Sequence, residues 1–227
     1  MKNKQINGLG IIMDGNRRFA REHNLPLLEG HRAGADKLKE VVAWCEEAGI
    51  KHLITYAFST ENWQRNKLEV EYLMTLFREV MIRDLPELMA KGVKIKCVGN
   101  LIDFPADLQV SMKKLMGESE KNSGVNLHLA LSYGGRAEIL AATKKLIERG
   151  IKNPTEEDFS NALWTAVMPD PDLIIRTSGE QRLSGFLPWQ AVYSELAFTP
   201  TLWPALTHDE FFAILEDYNG RERRRGK

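Results

Sequence analysis

The chain has 227 residues, of which 43% are hydrophobic, and this length and composition fit one globular domain with a sizeable core. Lysine plus arginine and aspartate plus glutamate both number 31, so the net charge indicates neither nucleic acid nor a charged membrane surface as a partner. Cys45 and Cys97 lie in apolar segments and form no CxxC pair, which favours reduced thiols in a cytoplasmic protein. We expect neither a signal segment nor a bilayer-spanning run.

The opening of the chain predicts a ligand-binding turn. An apolar run over residues 9–13 indicates a buried strand, and a helix-compatible segment over residues 17–22 follows it. In an open parallel α/β sheet, ligands bind where strands end and helices begin, and the first N–H groups of a helix are available to an anion. The residues at this junction are Asp14, Gly15, Asn16, Arg17 and Arg18.

These five residues suit a phosphate group that binds together with a metal ion. Gly15 allows a close approach of the backbone, and Asn16 can cap the helix. Arg17 and Arg18 can donate hydrogen bonds to phosphate oxygens. Asp14 would repel such a ligand unless a hard cation lay between them, and Mg²⁺ is the usual bridge. The junction alone therefore predicts either a magnesium–phosphate site or an ordinary strand-to-helix turn that carries charge.

The next three predicted elements are a helix, a strand and a long helix, at residues 35–48, 52–57 and 68–90. A short connection at residues 25–28 precedes the first helix. The long helix is apolar on more than one face, so it is either deeply buried or lines an apolar cavity. Pro86 should bend or break it. The polar loop before it, residues 58–66, carries one large aromatic side chain, Trp63.

The second half of the chain continues the alternation of strands and helices. Strands are predicted at residues 93–98, 125–132 and 172–176, and helices at residues 105–119, 137–149, from 155 onward, and 209–219. Alternating lysines place the first of these strands near a sheet edge. The expected fold class is therefore α/β, an open, mostly parallel sheet of about six strands flanked by helices, in a single domain over residues 1–227.

Arginine, asparagine, serine or glycine follows several of the predicted strands, which favours one polyphosphate site built from many loops. No GxxxxGK[ST] segment is present, so a Walker nucleotide site is excluded. No GxGxxG follows a strand, so a Rossmann dinucleotide site is excluded as well.

Four motifs taken together resemble those of the cis-prenyltransferase family. They are Met-Asp-Gly-Asn-Arg-Arg at residues 13–18, Gly30-His31, Ser59-x-x-Asn62-Trp63-x-Arg65, and Arg176-Thr-Ser-Gly-Glu-x-Arg182-Leu-Ser184. They occur in the family's order over nearly the whole chain, residues 11–226. An Asp-rich DDxxD pair, typical of the all-helical trans-prenyl synthases, is absent from the sequence.

The resemblance implies a fold with an apolar tunnel and an enzyme that adds isopentenyl diphosphate repeatedly to an allylic diphosphate primer, usually farnesyl diphosphate. Each new double bond would be cis. The implied product is a medium- or long-chain polyprenyl diphosphate such as undecaprenyl diphosphate, the precursor of the lipid carrier for cell-wall glycans. The implied cofactor is Mg²⁺, and transient contact with a membrane would assist product release.

The resemblance also implies roles for individual residues. Asp14 and Asn62 would be the catalytic residues, and Asp14 and Glu195 would bind Mg²⁺. The allylic diphosphate would be cradled by Gly15, Asn16, Arg17 and Arg18, with His31 close by. The diphosphate of isopentenyl diphosphate would be held by Arg176, Arg182 and Ser184. A mobile loop that closes over the substrates would contain Ser59, Asn62, Trp63 and Arg65. The family is dimeric, and Arg224 and Gly226 would reach the partner's active site.

The chain departs from the family pattern at four places. Arg17-Arg18-Phe19 stands where many members have Gly-Arg-Trp, although Arg-Arg variants occur in the family. Leu27 stands where many members carry an arginine that contacts phosphate, and Arg21 or Arg17 would have to replace that contact. Gln181 stands where histidine is common, and Ser132 stands where asparagine precedes Tyr-Gly-Gly-Arg. None of these changes removes either expected Mg²⁺ carboxylate.

Simpler interpretations of four features stay open. His31 fits a half-buried polar residue, Trp63 fits a loop anchor, Glu195 fits an arginine partner, and the terminal arginines fit a solvated tail. The base that removes a proton from the condensing unit is open among Asp14, a water held by an asparagine, and the released diphosphate. Alternative functions are a short-chain cis-farnesyl diphosphate synthase, a non-catalytic subunit of a heteromeric prenyltransferase, and a Mg²⁺-dependent phosphatase.

Overall fold

The computed structural model describes residues 6–222. Six strands lie within these residues, namely β1 Gly8–Ile12, β2 His52–Ser59, β3 Lys94–Val98, β4 Asn126–Tyr133, β5 Leu173–Arg176 and β6 Glu195–Phe198. They form one sheet in the order β3-β4-β2-β1-β5-β6, and every pairing is parallel. The expected open parallel α/β sheet is confirmed, with β3 at an edge as its alternating lysines predicted.

Helices connect the strands. In the same part of the chain they are α1 Asn16–Glu22, α2 Leu27–Glu47, α3 Lys67–Glu79, α4 Leu85–Ala90, α5 Ala106–Glu118, α6 Gly135–Glu148, α7 Glu156–Ala162 and α8 His208–Gly220. The connection expected at residues 25–28 is partly wrong, since α2 already begins at Leu27. Pro26 caps it, and a proline there lacks an N–H that the helix would leave unpaired in any case.

The expected long helix over residues 68–90 is interrupted. One turn of π-helix, Val80–Asp84, separates α3 from α4, and Pro86 lies in the first turn of α4. A proline removes one backbone donor and its ring clashes with the carbonyl four residues earlier, here that of Ile82. The hydrogen bonds widen to the π pattern where the regular one fails, as the position of Pro86 predicted.

The core lies on both faces of the sheet. Neighbouring residues along a strand point to opposite faces, so Leu53 and Ile54 of β2 enter different apolar clusters. The largest cluster packs α2 to α5 and α8 against one face, and a smaller one contains Phe186 and Leu187. Burial on both faces explains why the central strands read as continuous apolar runs.

A glycine allows α1 and α2 to pack closely. A Cβ atom on Gly30 of α2 would come within 2.0 Å of the Asn16 carbonyl oxygen and 3.0 Å of the Ala20 side chain. Real Cβ atoms do not approach a backbone oxygen so closely. Any side chain at residue 30 would therefore push the start of α1 away from α2.

We expect Gly30→Ala to lower the free energy of unfolding by about 1–3 kcal/mol, because the added methyl group overpacks a backbone contact. Urea unfolding measures this change. The matched control is Gly117→Ala in α5, where a new Cβ would meet nothing within 4 Å, and the higher helix propensity of alanine should stabilise by about 0.5–1 kcal/mol. Equal effects of the two substitutions would contradict the close contact.

Candidate active site

The predicted opening junction lies at the carboxyl ends of two neighbouring strands. Ile12 at the end of β1 is in register with Arg176, the last residue of β5. Asp14 Oδ2 accepts a hydrogen bond of 2.8 Å from Arg176 Nη2 and lies 3.8 Å from Nη2 of Arg18. Because Arg176 is only 4% exposed, its charge needs a local partner, and Asp14 supplies it.

Gly15 and Asn16 shape the start of α1. Gly15 immediately precedes the helix with a φ of 113°, in the left-handed region that favours glycine. The expected capping role of Asn16 is wrong, because Asn16 is the first helical residue and the helix has no side-chain cap. Among the described residues, its buried Oδ1 has no hydrogen-bond partner, and it lies where a Cβ on Gly34 would be 2.4 Å away.

A polar cavity of about 290 Å³ opens beside this junction. It is lined by Met13, Asp14, Gly15, Asn16, Arg17, Arg18, Arg21, His31 and Arg65. Four arginines against one aspartate make the lining strongly positive, as a diphosphate cradle requires. Arg21 contributes to this lining, which supports it as a substitute for the phosphate contact that Leu27 cannot make.

Glu69, in the first turns of α3, is a residue of this site that the sequence analysis missed. Its Oε1 lies 3.0 Å from Arg65 Nη1, 3.4 Å from His31 Nε2 and 3.9 Å from Arg17 Nε. One carboxylate therefore gathers three of the expected substrate-binding side chains. The i,i+4 spacing of Arg65 and Glu69 was the available sequence signal.

Burial and the nearby charge of Arg65 lower the pKa of His31 below its usual value of 6.5, although Glu69 acts in the opposite direction. The neutral imidazole is therefore the main form at pH 7. In that form one ring nitrogen donates a hydrogen bond and the other accepts one.

The segment after β5 forms the second half of the site. Arg176 Nη1 donates to Ser184 Oγ at 2.8 Å and also to the Arg182 carbonyl oxygen. The Arg182 side chain pairs instead with Glu180, so Arg182 contacts Arg176 through its backbone. Arg18 lies 3.5 Å from Glu180 and donates to the Ser178 carbonyl oxygen at 2.9 Å, which ties this segment to α1.

The loop after β2 is a capped turn. Ser59 and Asn62 form a reciprocal capping box around the 3₁₀ turn Thr60–Gln64, in which the Ser59 N–H donates to Asn62 Oδ1 at 3.0 Å. Of the four expected loop residues, Arg65 lines the polar cavity, whereas the other three are not among its lining residues.

Trp63 anchors this turn to the body of the protein. Its Nε1 donates to Ser132 Oγ at 2.9 Å, and its ring packs edge-on against Phe58 and Phe104. Ser132, which stands where the family often has asparagine, thus has a role in holding the turn. In this structure Trp63 is therefore a loop anchor, which is one of the interpretations that the sequence left open.

Glu195 lies away from Asp14. It begins β6 in register with Leu173, which is itself in register with Leu9 of β1. At about 3.3 Å per residue, the three strand steps from Leu9 to Ile12 place Glu195 about 10 Å back from the end of β1. Its Oε2 lies 3.1 Å from Arg221 Nη1. Within a single chain the register of the sheet therefore does not bring Glu195 beside Asp14, and a role of Glu195 in binding the ion stays a prediction.

Two further expected residues, Arg224 and Gly226, lie outside the described residues. Within residues 6–222, no group of three or more histidine, cysteine, aspartate or glutamate side chains is arranged to hold a metal ion. Mg²⁺ commonly binds through one or two carboxylates together with substrate phosphates. Asp14 fits that mode, since its side chain is 32% exposed and no described group donates a hydrogen bond to its Oδ1.

An apolar cavity of about 100 Å³ adjoins the polar one, and both are lined by Met13, Asn16 and His31. Leu73 and Phe77 of α3 contribute to its walls. The two interpretations of the long apolar helix are therefore both correct, because α3 lines a cavity and also packs in the core. No described helix has the length and apolarity to cross a membrane.

We expect Glu69→Gln to lower the pKa of His31 further, because it removes the carboxylate that favours the protonated imidazole. NMR titration of the His31 ring protons measures this shift. Glu71→Gln is the matched control, since Glu71 is exposed on the same helix and pairs with Lys67. A His31 pKa that stays constant or rises in Glu69→Gln would contradict the contact.

Comparisons with known proteins identify the family of this chain. The family model described as "Putative undecaprenyl diphosphate synthase" matches residues 12–226. An isoprenyl transferase of Heliobacterium mobile is 45% identical over 96% of this chain and 86% of its own length. An isoprenyl transferase of Aquifex aeolicus is 43% identical over 96% of this chain and 95% of its own length.

Solved structures give the same result. The structure of lavandulyl diphosphate synthase from Lavandula x intermedia in complex with dimethylallyl diphosphate has a TM-score of 0.93 and 33% identity, covering 98% of this chain and 99% of its own. A probable undecaprenyl diphosphate synthase from Campylobacter jejuni has a TM-score of 0.84 and 30% identity, covering 99% of this chain and 100% of its own. The chain therefore belongs to the undecaprenyl diphosphate synthase family of prenyltransferases.

Proposed function

We propose that this prenyltransferase condenses isopentenyl diphosphate with an allylic diphosphate primer, farnesyl diphosphate, and makes each new double bond cis. The observation that carries the proposal is the junction of an arginine-lined cavity with an apolar one. Such a pair fits an amphiphilic ligand with an anionic head and a hydrocarbon tail. Met13, Asn16 and His31, which line both cavities, would lie where head and tail meet.

The allylic diphosphate would occupy the polar cavity at the start of α1. Breaking the bond between the allylic carbon and the diphosphate oxygen moves negative charge onto the leaving group. Arg17, Arg18 and the free N–H groups of α1 would stabilise that charge without reorganising. The new carbon–carbon bond forms to the double bond of isopentenyl diphosphate, and the loss of one proton then completes the longer prenyl diphosphate.

Isopentenyl diphosphate would bind at the neighbouring strand end. Arg176 and Ser184 already contact one another there, and the Arg182 side chain would leave Glu180 to reach the diphosphate. Arg176 also contacts Asp14, so one guanidinium would connect the two substrate positions. We assign Asn62 and the turn around it to closure over both substrates.

The proposed cofactor is Mg²⁺, with Asp14 as its protein ligand. When bound, the ion would neutralise diphosphate charge that the arginines alone leave uncompensated. Asp14 would then exchange part of its contact with Arg176 for the ion. Because Arg176 keeps Ser184 and the Arg182 carbonyl as partners, it stays in place.

The proposed product is a medium- or long-chain polyprenyl diphosphate near undecaprenyl diphosphate, a precursor for the lipid carrier of cell-wall glycans. We further propose a cytoplasmic homodimer, in which Arg224 and Gly226 act at the partner's site, with transient membrane contact at product release. The narrow apolar cavity favours a second candidate, a short-chain cis-prenyl diphosphate synthase. Retention of Asp14, Asn62 and Arg176 argues against a non-catalytic subunit.

Incubation of the purified protein with farnesyl diphosphate, radiolabelled isopentenyl diphosphate and Mg²⁺ tests the proposal. We expect labelled polyprenyl products, sized by mass spectrometry, and no product after chelation of the metal. Asp14→Ala should lower the rate by about 10²–10³ if this carboxylate holds the ion beside the developing charge. Asp209→Ala, at a fully exposed aspartate in the first turn of α8, is the matched control and should leave the rate unchanged.

An unaltered rate in Asp14→Ala would contradict the assignment of Asp14. A product that stops after a single condensation, at twenty carbons from the fifteen-carbon farnesyl primer, would support the short-chain candidate instead. The absence of any labelled condensation product would overturn the proposed function.

A further inference from the structure

The apolar cavity is small for an elongating chain. A core cavity of about 150 Å³ in another protein binds one benzene molecule, so the cavity of about 100 Å³ found here accommodates roughly one five-carbon unit. If the proposed elongation takes place, on which this inference rests, one wall of the cavity must move outward, first for the three units of the farnesyl tail and then further as units are added.

The wall formed by the π-helical turn differs from the others. The sheet side, which includes Leu129 and Leu131 of β4, is held by backbone hydrogen bonds to strands on both sides. The opposite wall contains Val80 and Met81 from the π-helical turn Val80–Asp84. A π-turn is rare and is found mostly at functional positions in helices. It interrupts the helix at the cavity and provides a place where the wall can shift.

Asp84 ends this π-turn and ties it to α2. The residue is 2% exposed. Its Oδ1 accepts a hydrogen bond of 2.9 Å from Arg83 Nε and lies 3.4 Å from Lys39 Nζ, and its Oδ2 lies 3.3 Å from Arg32 Nη2. Arg32 and Lys39 belong to α2, the helix that also lines the cavity through Ala35 and Leu38.

Two more carboxylates complete the cluster. Asp36 of α2 lies 3.4 Å from Arg32 Nη2 and 3.2 Å from Lys39 Nζ, and Glu79 at the end of α3 lies 3.5 Å from Arg32 Nη1. Asp84 is the buried centre of this network, whereas the cationic side chains around it are partly exposed. Oδ2 of Asp84 has an ion pair but no hydrogen bond among the described residues.

We propose that Asp84 limits product length, because its ion pairs to Arg32 and Lys39 hold the π-turn against α2 and restrict how far the apolar cavity opens for the growing chain. Partly exposed cations can exchange a carboxylate partner for water, so the connection yields without unfolding either helix. The buried Asp84 carboxylate cannot exchange its cationic partners for water. Its attraction to Arg32 and Lys39 therefore favours the position in which the π-turn lies against α2. Asp84 acts on the cavity wall and has no contact with the diphosphate cavity.

Comparison of product lengths tests this role. The variants are Asp84→Asn, which keeps the side-chain shape without its charge, and Lys39→Met, which removes one partner from α2. In the farnesyl diphosphate assay we expect Asp84→Asn to raise the molar ratio of longer products to the main wild-type product at least threefold. Lys39→Met should give a smaller change in the same direction, and it decides the test if Asp84→Asn does not fold.

A control variant and a second measurement distinguish a change in cavity opening from a general loss of activity. Glu87→Gln neutralises an exposed carboxylate of α4 that pairs with Lys91 at 2.9 Å, and its product lengths should match those of the wild type. The single-turnover rate of the first condensation should stay within twofold in Asp84→Asn, because the diphosphate cavity is unchanged.

Folded variants with unaltered or shortened products would overturn the role of Asp84 while leaving the proposed function intact. A wild-type protein that forms no condensation product would overturn the proposed function itself, and this inference with it.

Discussion

The contact between Asp14 and Arg176 is the interaction on which the site depends. It joins the ends of β1 and β5 and compensates a buried guanidinium with a carboxylate that is still partly exposed. Because β1 and β5 are parallel, both residues lie at the carboxyl ends of their strands, on the same side of the sheet. The left-handed Gly15 then starts α1 at these strand ends, so charged side chains and free helical N–H groups face the same space.

Excess positive charge at these strand ends is balanced by two further carboxylates. Glu69 gathers Arg17, His31 and Arg65 on one side, and Glu180 contacts Arg18 and Arg182 on the other. These anions hold the cationic side chains in place where a diphosphate would otherwise do so. The apolar cavity adjoins the polar one, and this combination is the basis on which we propose a prenyl diphosphate as the ligand.

Much of this arrangement was predictable because it is local in the sequence. A short apolar run followed by Asp-Gly-Asn specifies a strand and a turn, and Pro86 specifies a helix break within a few residues. The position of Glu195 in the sheet could not be predicted, because a motif does not show which end of a strand it occupies, and the register of β6 decides that. Glu69 was missed because its contact with His31 spans 38 residues, and only the packing of α2 against α3 brings the two together.

A crystal structure of the protein with Mn²⁺ in place of Mg²⁺ and a farnesyl thiodiphosphate analogue tests the proposed site most directly. We expect an anomalous peak within about 2.3 Å of an Asp14 carboxylate oxygen, a distance typical of hard-cation coordination. We also expect the thiodiphosphate beside Arg17 and Arg18 and the prenyl tail between α2 and α3. A metal and ligand bound elsewhere, with the Asp14–Arg176 pair intact and the polar cavity empty, would contradict this assignment.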